Sequence, residues 1–207
     1  GHRVLDENDE TISLLGRLLE HARTTACYNV YYGEGRDIYD VAGRVAHEAI
    51  FNVNDGNFRC PSTQQGYSPF TTWTRGLAWT LSGYAEQLEF LAACTDAELV
   101  ECGGRKENEQ VMRRAATVTA DFYINNTPTD GIPYWDSGAP GLVHLGDYLD
   151  RPAEVDNTQE PVDSSAAAIA AQGFLRLGHY LEGDDQQQAA RYTAAGLTIL
   201  HRLLEAP

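Results

Sequence analysis

Leu77, Leu81, Tyr84, Leu88 and Leu91 recur at intervals of three and four residues. That spacing lines side chains up on one face of an α-helix. The expected helix begins after a turn punctuated by Gly66 and Pro69 and runs to about Ala93. Ser68, Thr71 and Thr72 are its candidate N-caps. Arg75 and Trp79 are four apart, so they share a different face, where Ser82 and Gly83 follow. A surface helix would carry a charged stripe opposite its apolar one. Here the opposite side offers an arginine, a tryptophan and small residues, which suits a helix buried on one side and lining a cavity on the other.

The chemistry of that second face is specific. Arginine can grip a carboxylate with two parallel hydrogen bonds, and tryptophan presents a flat apolar surface to a sugar ring. Trp73, Arg75 and Trp79, with Gln64 and Gln65 just ahead, therefore fit a carboxylated sugar. The competing reading makes Trp73 and Trp79 core residues and Arg75 a structural ion-pair partner.

The rest of the chain reads as helix after helix. Asp9 and Thr11 would cap a first helix over 10–32, with Ile12, Leu15, Leu18, Leu19, Ala22 and Ala26 on its face and Gly33 and Gly35 ending it. A second helix is expected over 37–50, followed by a loop over 52–62 turning at Asp55-Gly56. A partner for the organising helix is expected over 107–125, with Val111, Ala115, Val118 and Phe122 buried. Residues 126–163 have little periodicity but carry Tyr134, Trp135, Asp136 and Tyr148. They are too aromatic for disorder and read as an ordered loop over a cavity mouth, with a short helix at 142–149. Asp163 and Ser164 would cap an alanine-rich helix to Leu181, which other helices can approach closely. A final helix is expected over 185–204, its stripe formed by Tyr192, Ala195, Ile199 and Leu203.

Composition narrows the function classes. The 207 residues suffice for one domain with a real core, and a formal charge of −15 opposes nucleic-acid binding. No apolar run approaches the ~20 residues of a membrane helix. Cys27, Cys60, Cys94 and Cys102 lack zinc-like spacing. Cys27 and Cys94 read as small buried hydrophobes, a Cys94–Cys102 disulfide is open, and the pattern fits a reducing, cytoplasmic setting, with the periplasm as the other option.

Three segments carry a family resemblance. Trp73-Thr74-Arg75-Gly76-Leu77-Ala78-Trp79, preceded by Gln65-Gly66-Tyr67, resembles the W-A-R-G-Q-A-W segment of the unsaturated glucuronyl hydrolases, glycoside hydrolase family 88. GIPYWD, from Gly131 to Asp136, and DSSAAAIAAQGFLRL, from Asp163 to Leu177, resemble two further segments in the same order. The resemblance implies an all-α fold, the (α/α)6 barrel of the six-hairpin glycosidases, of which this chain is about the C-terminal half. It implies hydrolysis of unsaturated uronic-acid oligosaccharides, with no cofactor. His47, Gln64, Gln65, Trp73, Arg75, Trp79, Trp135 and Asp136 are then the substrate-binding candidates. His47 is the only histidine between the first helix and the Gln-Gly-Tyr segment. Where the family has a histidine directly before that segment, this chain has Gln64, which can hydrogen-bond but cannot carry a proton. The family's catalytic aspartates come from the other half of the barrel, and their role is not assigned to Asp6 or Asp9. The expected partners are a small oligosaccharide and the missing barrel half or a second copy, with neither nucleic acid nor membrane. An unsaturated rhamnogalacturonyl hydrolase and a noncatalytic helical sugar-binding or scaffold protein are the alternatives.

Overall fold

The computed structural model describes residues 3–205. Helix α1 spans Leu14–Tyr28 and is capped by Ser13, whose side chain accepts from the Gly16 N–H. It starts later than the sequence suggests. Thr11–Ser13 forms strand β2, antiparallel to β1 at Arg3–Leu5. The Asp6 carboxylate accepts the N–H groups of Asn8 and Glu10, offering that backbone a partner outside the helix. Asp9 sits in the turn with φ 60 rather than acting as a cap.

The helix expected over 37–50 does not form. Asp40 gathers the N–H groups of Gly33, Glu34 and Arg36, and Gly43, at φ 84, lies against the Val118 carbonyl and Phe122. An added side chain there would meet the later helix that carries Val118 and Phe122, so a turn takes the place of a helix. Glu48–Phe51 (β3) instead pairs with Phe58–Ser62 (β4) as an antiparallel hairpin, which takes the last five residues of the expected loop and leaves its turn at Asp55-Gly56 between the strands. Tyr28 packs against both Phe51 and Phe58, at ring centroid distances of 4.8 and 5.2 Å. Strands this short are set by packing on α1 and leave little alternation in the sequence.

Helix α2 spans Thr74–Ala93 and buries Leu77, Leu81, Tyr84, Leu88 and Leu91 as the periodicity predicts. None of Ser68, Thr71 and Thr72 caps it. Trp73 is the N-cap residue and makes no side-chain cap bond. The helix start is tied to a distant loop instead: the Thr74 N–H donates to the Trp135 carbonyl, and the Thr72 N–H to Ser137 Oγ. A short α3, Asp96–Leu99, leads to α4, Arg105–Asn125. Its fully buried face is Asn108, Met112, Ala115, Ala116, Thr119, Ala120, Phe122 and Tyr123, with Val111 and Val118 only half-buried. The stripe is turned from the expected one because α4 packs against both α1 and α2.

Residues 126–163 form an ordered loop with 3-10 turns at Pro140–Leu145 and Tyr148–Asp150. Helix α5, Ser164–Leu181, is capped by Asp163, and α6, Gln186–Leu204, by Asp185. Helices α2 and α5 lie side by side, with α4 behind α2 and α6 behind α5. The core fills the space between these two layers, with Leu81, Leu88, Met112, Tyr123, Phe174, Leu177 and Tyr192 fully buried. On the other side of the α2–α5 layer, Trp79, Glu86, Phe90, Ala168 and Gln172 are exposed. Gln172 and Arg176 of α5 bond across it to Glu86 and Glu89 of α2.

One expectation about cysteine changes: Cys27 is exposed rather than buried, while Cys94 is buried as expected. All four cysteines are free, so the pairing left open between Cys94 and Cys102 is not made. Among the described residues no helix is long and apolar enough to cross a membrane.

Candidate functional site

The N-terminal ends of α2 and α5 meet, and the loops that precede them supply the candidate side chains. Arg75, in the first turn of α2, reaches Asp163 at the start of α5. Its Nη2 is 2.9 Å and its Nε 3.1 Å from Asp163 Oδ2. The Arg75 side chain is 41% exposed and that of Asp163 only 4%. The arginine is thus ion-paired, as the structural reading of the sequence allowed, but it stands at an open surface rather than within a packed core.

Trp73 lies beside it, its ring centroid 5.6 Å from the Arg75 guanidinium carbon. His47, on the segment leading into β3, meets the Trp73 ring edge to face at 4.9 Å. The His47 Nδ1 accepts from the Gln64 N–H at 3.3 Å and is 3.3 Å from Thr63 Oγ1. A nitrogen that accepts from a backbone N–H carries no proton, so in neutral His47 the proton sits on Nε2. His47, Trp73 and Arg75 therefore form one contiguous row. Gln64 and Gln65 are exposed on the turn beside it.

Asp136 is fully buried. Its Oδ2 accepts from the Tyr67 N–H at 2.9 Å and its Oδ1 from the Gly138 N–H at 2.9 Å. It clamps the Gln64–Tyr67 turn from below, and its visible work is to shape that turn. Trp135 is half-buried; its indole Nε1 donates to Glu160 at 2.6 Å, and Glu160 also accepts from the Gly141 N–H. Trp79 stands apart. It is 59% exposed, one helical turn beyond Arg75. There it lines a groove of about 200 Å³ with His21 and Thr25 of α1 and with Gly83 and Gln87.

Two residues important to this geometry are absent from the candidates the sequence offers. Asp163 reads in sequence as a cap, and it is one, accepting from the Ala166 N–H through Oδ1; its second oxygen, free in that reading, holds Arg75. Glu160 carries no local signal beyond standing in a polar loop before Pro161.

No protein-family profile matches the chain. The unsaturated glucuronyl hydrolase of Bacillus sp. (strain GL1) is 30% identical over 156 residues, which are 74% of this chain and 32% of that protein. The unsaturated glucuronyl hydrolase of Formosa agariphila is 27% identical over 138 residues, 66% of this chain and 27% of that protein. The crystal structure of the Bacillus sp. GL1 hydrolase, responsible for the degradation of glycosaminoglycan, matches with a TM-score of 0.59 at 25% identity, over 88% of this chain and 37% of that one. The chain spans about a third of the length of the curated relatives it matches. These proteins have an (α/α)6 barrel, and the two layers of helices described above are a part of one.

Proposed function

This chain is a relative of the unsaturated glucuronyl hydrolases, and from that premise we propose that it supplies the C-terminal part of a barrel that hydrolyses unsaturated uronic-acid oligosaccharides. The observation that carries the reading is the row of His47, Trp73 and Arg75 at the shared end of α2 and α5. It offers a hydrogen-bond donor, an aromatic face and a guanidinium to one ring. Arg75 binds the uronate carboxylate, Trp73 and Trp135 form walls, Trp79 offers an aromatic face to a more distant part of the oligosaccharide one helical turn along α2, and His47, Gln64 and Gln65 bond hydroxyls. Asp136 holds the turn that presents the two glutamines.

The proposed reaction is hydration of the 4,5-double bond. An acid protonates the alkene, water adds at the neighbouring carbon, and the hemiketal so formed opens with loss of the glycosidic bond. The three buried carboxylates near the row, Asp136, Glu160 and Asp163, all accept from protein N–H groups, so their visible roles are structural. The acid therefore comes from the remaining barrel, which covers the open face of α2 and α5. That same observation favours a second reading, in which the chain alone binds sugars without turning them over. The four free cysteines support a reducing, cytoplasmic setting.

Unsaturated uronides absorb in the ultraviolet, and turnover removes the band. The chain joined to its missing part should bleach at least one of a panel of unsaturated disaccharides, including a rhamnogalacturonyl one, while the chain alone should not. A completed barrel that leaves every band unchanged would remove the enzymatic reading.

A further inference from the structure

Arg75 does not meet Asp163 end-on. The contacts run from Nε and Nη2 to one carboxylate oxygen, at 3.1 and 2.9 Å, with Nε also 3.4 Å from Oδ1. This takes up the side edge of the guanidinium. The end edge, formed by Nη1 and the second N–H of Nη2, stays open. Among the described residues Nη1 donates to no protein acceptor. Asp163 itself cannot move to follow a ligand. Its Oδ1 caps α5 through the Ala166 N–H at 2.8 Å, and its own N–H donates to the Pro133 carbonyl at 2.7 Å.

We propose that Asp163 is a positioning residue that sets the specificity of the site. It fixes the plane of Arg75 and leaves the end edge as a two-pronged fork for the carboxylate of an acidic sugar ring. A planar guanidinium can serve two carboxylates at once, one on each edge. The inner carboxylate is part of the α5 cap, so the fork is preorganised by the same bond that starts the helix. Charge balance follows as well. The pair is neutral, so a ligand is selected by the geometry of the fork more than by net attraction.

This inference rests on the reading of Arg75 as a substrate contact. Asp163→Asn separates the two. An asparagine oxygen caps a helix about as well as an aspartate. With that oxygen on Ala166, the amide NH2 faces the guanidinium and cannot accept from it. The variant should stay folded by circular dichroism and lose the slow exchange of the Arg75 Nε–H resonance. It should bind an unsaturated glucuronyl disaccharide about tenfold more weakly, the loss of one charge-assisted contact, while binding of the carboxyl-reduced, neutral counterpart barely changes. Arg75→Lys, which leaves the cap untouched but replaces the fork with a point donor, should lose the same preference.

If Arg75→Ala abolishes the preference for the acidic sugar while Asp163→Asn keeps or strengthens it, the positioning role is overturned and the functional reading stands. Should Arg75→Lys keep the full preference, the fork is likewise overturned. If wild type and Arg75→Ala bind the acidic and neutral sugars alike, Arg75 is no substrate contact and both readings fall.

Discussion

A Cβ atom added at Gly173 of α5 would stand 2.9 Å from both the amide nitrogen and the Cα of Ser82 in α2. The two helices of the inner layer therefore meet backbone to backbone. The obstructing atoms belong to the main chain of a buried residue and cannot swing aside. Gly173→Ala should lower stability by about 1–3 kcal/mol, the cost of overpacking a close contact. Urea unfolding measures it; an unchanged midpoint would mean that α2 and α5 part more easily than their packing implies.

Asp136→Asn removes one of two acceptors from a fully buried carboxylate that holds the Tyr67 and Gly138 N–H groups. A buried donor left without a partner costs about 1–3 kcal/mol. The expected result is a loss of that size together with faster hydrogen exchange at Tyr67 or Gly138. Protection unchanged at both amides would show that the turn holds itself.

Tyr84 donates its hydroxyl to the Ala22 carbonyl at 2.8 Å, tying α2 to α1. Burial, with Tyr32 nearby as a lesser cause, raises its pKa well above the ordinary tyrosine value. Burial likewise pushes Tyr32 up to about 12. Both shifts are upward, so the unfolded chain releases these protons first. The stabilisation is complete below about pH 10 and is lost as the pH rises above it. Tyr84→Phe should cost about 1 kcal/mol at neutral pH and flatten the fall in stability under alkali. Parallel alkaline curves for the two proteins would refute the assignment.

Asp40 carries the opposite shift. Burial raises its pKa, but the N–H groups of Arg36, Gly33 and Glu34 outweigh that and hold it below the usual carboxylate range. Its contribution is present above the unfolded value of about 3.9 and is lost as the pH falls through the lower folded one. Asp40→Ala should thus be less stable than wild type at neutral pH, with the gap closing in acid. A gap that persists at low pH would point to a loss of packing instead.

Local periodicity made much of this fold legible. The apolar faces of α1 and α2 follow from residues three and four apart, α5 was readable as an interior helix from its density of alanines, and Asp163 was readable as a cap from its place before Ser164. The hairpin of β3 and β4 was not, because its strands answer to Tyr28 rather than to their own pattern. The region over 37–50 has a few apolar residues at helical spacing, yet Asp40 and the close approach of Gly43 to α4 decide its shape. In the site, the residue types on and around α2 were informative. The Arg75–Asp163 pair joins residues 88 apart in sequence, and Trp135 meets Glu160 across 25. A carboxylate with one evident duty gives no sequence sign of a second.

The exposure of Trp79 makes it a built-in optical reporter. Trp73 and Trp135 are both half-buried, so collisional quenching of the chain's fluorescence by acrylamide should be dominated by this single indole. Any body that comes to rest against α2, whether sugar, second copy or complementary barrel segment, will shield it and blue-shift its emission. The arrival of a partner can therefore be timed without attaching a dye.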